Sequence, residues 1–166
     1  MGILRASLFR KKPLPMPDYE HSLTVDASPD TVFAFVSDIQ NLPKYLPTTH
    51  SAEPQPGGRV RVQGEAGGHP YDSDGYFRLD APNHRMEWGS DGENKYLGWL
   101  EIDGVSDECE VTVHLTFQPK PEQAERMKEQ TGDQDKTITE GLIASLESIK
   151  NFVEGRGGKV EPSAAT

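Results

Sequence analysis

The first part of the chain alternates between apolar and polar residues and then changes to a helical period. Alternation from Tyr19 to Asp26 predicts a strand with one buried face. Ser28 followed by Pro29 is typical of a helix start, because serine caps the first amide groups and proline needs no hydrogen-bond partner there. An apolar stripe at helical spacing follows: Val32, Phe35, Val36 and Ile39. We expect the first three of these to face the sheet.

Two prolines and an asparagine bracket a second short helix. Asn41 precedes it, and Pro43 and Pro47 lie within and after it. Asp38 stands just before this segment, where a carboxylate most often caps a helix or a turn. We therefore interpret Asp38 as a capping residue and not as a catalytic acid.

Turn-forming sequences divide the middle of the chain into strands. They recur at 56–58, 67–68, 81–83, 90–92 and 104–107. Such spacing predicts consecutive antiparallel hairpins. Apolar and polar residues alternate within most of these strands, so each has one dry and one wet face. The segment Tyr96–Asp103 is apolar on both faces, and alternation does not decide which face points inward.

Near the C-terminus the period returns to that of a helix. The stripe consists of Ile138, Leu142, Leu146, Ile149 and the pair Phe152/Val153. Gly155, Gly157 and Gly158 can end this helix. We expect one folded domain over residues 18–155, a basic N-terminal tail over 1–17 and a flexible C-terminal tail over 156–166.

The order of these elements predicts an α+β helix-grip fold. In such a fold a curved antiparallel sheet of six to seven strands wraps around a long C-terminal helix, and two short helices follow the first strand. The arrangement buries the apolar stripe of the long helix against the dry face of the sheet.

The stretch VDASPDTVFAFVSDIQNLPKYLPTT resembles the opening of the START-like, polyketide-cyclase (SRPBCC) superfamily. The matching positions are Val25, Pro29, Val32 to Val36, Asp38, and Asn41-Leu42-Pro43 through Tyr45 to Pro47. The resemblance implies the helix-grip fold with a deep apolar cavity between sheet and helix. It does not imply one function, because the superfamily includes lipid carriers, quinone binders, aromatase/cyclases, plant hormone receptors and chaperone activators.

Alternation also predicts which residues border that cavity. Aromatic side chains either line a pocket or fill a solid core, and the candidates are Phe35, Tyr71, Phe77, Trp88, Trp99 and Phe117. Small inward residues among them favour a void, because they leave volume that large ones would fill. The predicted ligand-binding residues are Val62, Gly64, Tyr71, Ser73, Gly75, Phe77, Trp88, Val113, Leu142 and Leu146.

Three functions remain open at this point. The first is binding of a hydrophobic small molecule (a lipid, quinone or polyketide-like compound) in the cavity. The second is a cyclase or dehydratase that acts without metal or covalent intermediate, aided by Ser73, Tyr71 or, in another strand register, Arg85. The third is a protein-interaction module of the chaperone-activator type. An inward carboxylate, histidine or arginine would favour the enzyme.

Net charge and cysteine content limit the possible binding partners and the cellular compartment. The net charge of −10 argues against nucleic-acid binding. Arg5, Arg10, Lys11 and Lys12 lie in the first 17 residues, so residues 1–12 form either a simple tail or a weak peripheral membrane contact. The single cysteine, Cys109, forms no internal disulfide, which favours a reducing cytoplasm.

Metal and nucleophilic chemistry find little support in the sequence. The five histidines show no pair at ligand spacing, and we interpret His114 as a solvated residue on a polar strand face. Cys109 falls among inward residues and is best explained as a small buried hydrophobe. We therefore expect no metal site and no cofactor, and the oligomeric state stays undetermined.

Overall fold

The computed structural model describes residues 18–66, 69–90, 95–118 and 134–160. One antiparallel sheet holds seven strands in the order β1-β7-β6-β5-β4-β3-β2. The strands are β1 (Asp18–Val25), β2 (Thr49–Gln55), β3 (Arg59–Ala66), β4 (His69–Asp80), β5 (Arg85–Ser90), β6 (Lys95–Val105) and β7 (Glu108–Gln118). The helices are α1 (Pro29–Val36), α2 (Leu42–Tyr45) and α3 (Gln134–Glu154), with 3₁₀ turns at Ile39–Asn41 and Ala81–Asn83. The predicted helix-grip architecture is confirmed.

The predicted caps form the junctions after β1. The Ser28 hydroxyl accepts a hydrogen bond from the Thr31 amide at 3.2 Å, and Pro29 occupies the first turn of α1. The Asp38 carboxylate accepts one from the Gln40 amide at 2.9 Å, as expected for a capping residue. These bonds satisfy amide groups that a helix start leaves without partners.

Strand register assigns the inward residues to one face of the sheet. Val25 pairs with Cys109, and Cys109 in turn pairs with Gly104. Phe77 pairs with Trp88, which pairs with Gly98. Since directly paired residues point to the same side, this face, called here the inner face, continues across all seven strands. For the segment Tyr96–Asp103, alternation did not decide which face points inward. The register shows that Gly98, Leu100 and Ile102 belong to the inner face.

The long helix and the two short ones cover part of the inner face. Helix α3 packs on β1, α1, α2 and β7. Leu146 and Ile149 of its stripe are buried in the core. The helix begins at Gln134, one turn before the first apolar residue of the predicted stripe, Ile138.

Two aromatic residues lie elsewhere than predicted. Phe35, expected to face the sheet, stacks on Phe152 of α3, with ring centroids 5.6 Å apart. Trp99, a candidate for the pocket, lies on the outer face, because its register partners are Glu87 and His114. Its ring is parallel to that of His114 at 5.1 Å, so His114 is a partnered residue, and its Nδ1 also lies 2.9 Å from Glu20.

The outer face is held by cross-strand ion pairs. Arg61 contacts Asp72 at 2.6 Å, and Arg59 contacts Asp74 at 3.1 Å. Arg85 bonds to Glu87 at 3.0 Å and also to Glu101. The polar halves of the alternating strands thus form one charged surface, separate from the apolar inner face.

Residues at the chain ends fall partly outside the described ranges. Residues 1–17 and 161–166 are among those not described. Residues 156–160, assigned from the sequence to a tail, lie against α3, with the Val160 amide donating to the Ser148 hydroxyl at 2.7 Å.

Candidate functional site

The inner face divides into a packed half and an open half. Around the Val25 end of the sheet most inward side chains are almost fully buried: Val25, Met86, Leu100, Ile102, Cys109, Val111 and Val113. Leu23 beside them is partly buried, and Leu79 is exposed. Toward the other end the inward apolar side chains Val62, Phe77, Trp88 and Leu115 are only partly buried, although Ala52 and Val60 beside them are buried. A partly exposed apolar side chain on the concave side of a sheet borders space that protein atoms do not fill.

Trp88 lies at the centre of the open half, and a glycine sets its orientation. A Cβ atom added to Gly98 would lie 2.5 Å from the indole of Trp88. The indole therefore lies directly on the backbone of β6. Any residue with a side chain at position 98 would prevent this contact. Because one face of the ring lies on the strand, its other face points away from the sheet on the inner side.

Residues beside Trp88 continue its apolar surface toward β3. The inward surface formed by Trp88, Phe77, Gly75 and Val62 is called here the floor. Phe77 is its direct register partner on β4, and Gly75 follows two residues earlier on the same side. Gly75 pairs in turn with Val60, and Ser73 with Val62. An aromatic side chain beside residues with little or no side chain presents a surface that suits a flat or elongated apolar molecule.

Strand register brings the predicted ligand-binding residues of the sheet onto a single face. Val62, Gly64, Ser73, Phe77 and Trp88 are partly buried there, and Gly75 is buried. Val113, Leu142 and Leu146 belong to the packed core cluster. Tyr71 shares the face through its pairing with Gly64, although its side chain is outside the described part. Their contact with a ligand stays a prediction.

Few polar groups of the described strands face inward. Ser73 is one, and it lies in the open half. His21 is another, paired with Val113 at the edge of the packed half. Three strand spacings separate β1 from β5, so His21 lies roughly 14 Å across the sheet from the strand of Trp88. An inward histidine favours an enzyme; His21 is distant from the open half, whereas backbone register puts His69 on the same face as Tyr71 and Ser73, through its pairing with Ala66.

Arg85, which would have reached the interior only in another register, belongs to the outer face. Its guanidinium lies 4.8 Å from the ring centre of Trp99 and bonds to two carboxylates. It also lines an outer cleft of about 320 Å³ together with Asn83, Glu101, Ile102 and Asp103. Because charged groups already paired with one another dominate this cleft, it does not suit an apolar ligand.

Reactive groups inside the fold are protected. Cys109 is buried, and burial raises the pKa of its thiol, which opposes formation of the nucleophilic thiolate. Tyr45 is buried in the core and donates a hydrogen bond to the Val36 carbonyl at 2.7 Å. Desolvation strongly raises the pKa of this phenol, so it stays neutral. Both groups therefore stabilise the core and are unsuited to acid–base work near neutral pH.

The match to a known protein family covers most of this architecture. Residues 16–146 match the family described as polyketide cyclase / dehydrase and lipid transport. The chain belongs to this family. The matched range includes every strand and reaches into α3 as far as Leu146, so the family covers the open half of the inner face as well.

Solved structures share the fold at low sequence identity. The protein TTHA0849 from Thermus thermophilus superposes with a TM-score of 0.70 at 20% identity, covering 84% of this chain and 98% of that one. The Zhui aromatase/cyclase from Streptomyces sp. R1128 gives 0.69 at 17% identity, covering 85% and 95%. The di-domain ARO/CYC BexL from the BE-7585A biosynthetic pathway gives 0.62 at 21%, covering 84% of this chain. These similarities establish the fold.

The chain spans 47% of the length of the di-domain protein BexL. A search of curated protein sequences finds no match. Among the described residues, no helix is long and apolar enough to cross a bilayer. No group of three or more potential ligand residues in the described ranges is placed to hold a metal ion.

Sequence reasoning missed how the inner face is divided. Alternation identified the inward residues, but Val113 and Val62 look alike in sequence and differ in burial, at 4% exposure for Val113 and partial burial for Val62. The signal that could have been used is the position of each residue along its strand relative to the helices, which depends on the curvature of the sheet.

Proposed function

We propose that this protein binds a hydrophobic small molecule, with an aromatic or flat apolar portion, on the open half of its inner face. The observation that carries the proposal is the half-buried indole of Trp88, fixed flat on Gly98 with Phe77 beside it. Membership of a family described by polyketide cyclisation and lipid transport supports it. A lipid, a quinone and a polyketide-like compound all fit this chemistry.

Energetic considerations favour such a ligand. Partly exposed Val62, Phe77 and Trp88 keep apolar surface in contact with water in the free protein. Covering that surface releases about 25 cal/mol for each Å² of apolar area. A ligand of drug size that covers it gains several kcal/mol before ordering costs are subtracted. Binding without a fixed polar anchor is compatible with a carrier.

Titration with the apolar, environment-sensitive dye N-phenyl-1-naphthylamine tests the proposal. We expect saturable binding to the wild-type protein and loss of that binding in Gly75→Phe, because the added ring fills the floor beside Trp88. Asp74→Phe is the matched control, since the neighbouring side chain adds the same ring on the outer face. Equal dye binding by the wild-type protein and Gly75→Phe would contradict the proposed site.

Tryptophan emission provides a second readout. The chain has two tryptophans, and Trp99 lies on the outer face. In a Trp99→Phe background the emission reports on Trp88 alone, and bound dye should quench it by energy transfer at short range. Dye binding that leaves Trp88 emission unchanged would place the dye elsewhere on the molecule.

A further inference from the structure

The few polar positions of the inner face are concentrated at one end of the sheet. Phe77, Trp88 and Gly98 form a row of paired positions across β4, β5 and β6. Beyond this row, on the side away from Val25, the register places five residues of these strands with an oxygen or nitrogen in the side chain on the inner face. These positions, called here the polar end, are His69, Tyr71, Ser73, Ser90 and Tyr96.

The same three strands carry no such residue on the other side of the row. Their inner positions toward Val25 are Leu79, Met86, Leu100, Ile102 and Gly104. Alternation along a strand separates inner from outer residues, but it does not require a change from apolar to polar within one face. The inner face of β4, β5 and β6 is therefore polarised along the strands, and this polarity is a feature separate from the fold.

The polar end adjoins the floor. Ser90 follows Trp88 by two residues and pairs with Gly75, and Ser73 precedes Gly75 by two residues. Two residues advance a strand by about 7 Å, so roughly 14 Å separate the positions of Phe77 and Ser73. A molecule about three fused rings long that lies on Phe77 and Trp88 therefore has its far end at Ser73.

Ser73 shows what the polar end requires of a ligand. Its side chain is partly buried on the open half, where water can bond to the hydroxyl in the free protein. A ligand that covers this hydroxyl without a hydrogen bond leaves a polar group unpaired, which weakens binding. A ligand with an oxygen at this place replaces the water. Sites of this kind discriminate strongly against analogues that lack the polar atom.

The residues of the polar end favour an uncharged oxygen over an anion. None of the five is a lysine or an arginine, and the inner positions of the described strands contain neither residue. A carboxylate or phosphate covered without a cation beside it keeps most of its desolvation cost. Hydroxyl and carbonyl oxygens, in contrast, are matched by the hydroxyl groups of serine and tyrosine.

We propose that the polar end sets the orientation of the bound molecule, with an uncharged hydroxyl or carbonyl oxygen at Ser73 and Tyr71 and a flat apolar part on Trp88. This inference rests on the function proposed above, and it adds which end of the ligand carries oxygen and which residues select it. The ligand is then an elongated apolar molecule with an oxygen at one end, and not a lipid with a charged headgroup.

Two isomeric alcohols test the orientation. In 2-anthracenemethanol the hydroxyl group lies at one end of the fused rings, and in 9-anthracenemethanol it lies at the middle. Both have the same apolar rings and the same polar group, so an apolar floor alone would bind them equally. We expect the wild-type protein to bind the 2-isomer about fivefold more tightly, as for one net hydrogen bond. Anthracene fluorescence measures both Kd values.

Removal of two hydroxyl groups should abolish this preference. We expect the double variant Tyr71→Phe/Ser73→Ala to bind the two isomers with equal affinity, because only the 2-isomer loses a hydrogen bond. Tyr76→Phe is the matched control. It removes the same hydroxyl group from the outer face of the same strand and should keep the fivefold preference. Melting temperatures check that each variant is folded.

Equal affinity of the wild-type protein for the two isomers would overturn the proposed orientation, and this comparison does not depend on the folding of any variant. A preference that persists in folded Tyr71→Phe/Ser73→Ala would also overturn it. The variant Gly75→Phe separates this inference from the proposed function. If Gly75→Phe binds both isomers as the wild-type protein does, the function fails, because both then bind elsewhere. If it binds neither and the wild-type protein shows no preference, the function stands and the orientation is wrong.

Discussion

At the scale of the residue, hydrogen bonds to the backbone fix the turns between β1 and β2. The motif Asn41-Leu42-Pro43-Lys44-Tyr45 owes its structure to two of them. The Asn41 side chain donates to the Phe35 carbonyl at 2.9 Å, and the Tyr45 hydroxyl donates to the Val36 carbonyl. Both carbonyls lie at the end of α1, where helix geometry leaves them without partners. The motif therefore caps the preceding helix.

Tyr45→Phe isolates one of these bonds. The Val36 carbonyl would be left buried without its partner, so we expect a loss of about 1–2 kcal/mol in the free energy of unfolding by urea. Tyr76→Phe is the control, because Tyr76 lies on the outer face beside Arg78 and should change stability by less than about 0.5 kcal/mol. Equal effects of the two substitutions would show that the bond to Val36 contributes nothing.

At the scale of the element, a buried carboxylate joins the end of α3 to β1. Hydrogen bonds from Lys150, then from the Asp26 amide, lower the pKa of Glu154 from 4.5 to about 2. A group whose pKa is lower in the folded protein stabilises it above the unfolded-state pKa. This contribution is therefore present above pH 4.5 and is lost as the pH falls toward 2.

Glu154→Gln should lower the free energy of unfolding by about 2 kcal/mol at pH 7, the usual range for hydrogen bonds that involve a charged group. The difference from the wild-type protein should shrink as the pH falls from 4.5 and vanish near pH 2. Urea unfolding at several pH values measures it, with the exposed Glu147→Gln as control. A difference that is independent of pH would contradict the role of the charge.

At the scale of the whole molecule, polar and apolar chemistry are separated onto the two faces of one sheet. Ion pairs and the Trp99–His114 stack hold the outer face. The inner face carries the core and the open floor. Titratable residues outside this floor should therefore have little influence on an apolar ligand, even where they support the fold.

Cys109→Ala and His84→Ala test this separation. Cys109 is buried in the packed half, and His84 contacts Asp30 at 2.7 Å outside the floor. Each variant should retain dye affinity within about tenfold, which corresponds to roughly 1.4 kcal/mol. Fluorescence titration at 25 °C measures it, with melting temperature as a check on folding. A thousandfold loss in either, at unchanged melting temperature, would support an enzyme with that residue in its site.

Local patterns were sufficient for most of the fold. A cap such as Ser28-Pro29 depends only on neighbouring residues, and so does alternation such as Cys109 to Leu115, which is why these predictions hold in the structure. Strand β2, with Pro54 within it, has no clear alternation, and its pairing with β3 provides the order that its own sequence lacks. Such a strand is recognisable only from its partner.

By itself the sequence determined the elements other than β2, their order and the inward face of nearly every other strand, because these follow from periods of two and 3.6 residues along the chain. Tertiary structure alone decided that Trp99 lies outside, that Phe35 packs on Phe152 and that Trp88 lies on Gly98. It also decided which half of the inner face is open. These features depend on the curvature of the sheet and the position of α3 above it, and both arise from contacts between residues distant in sequence.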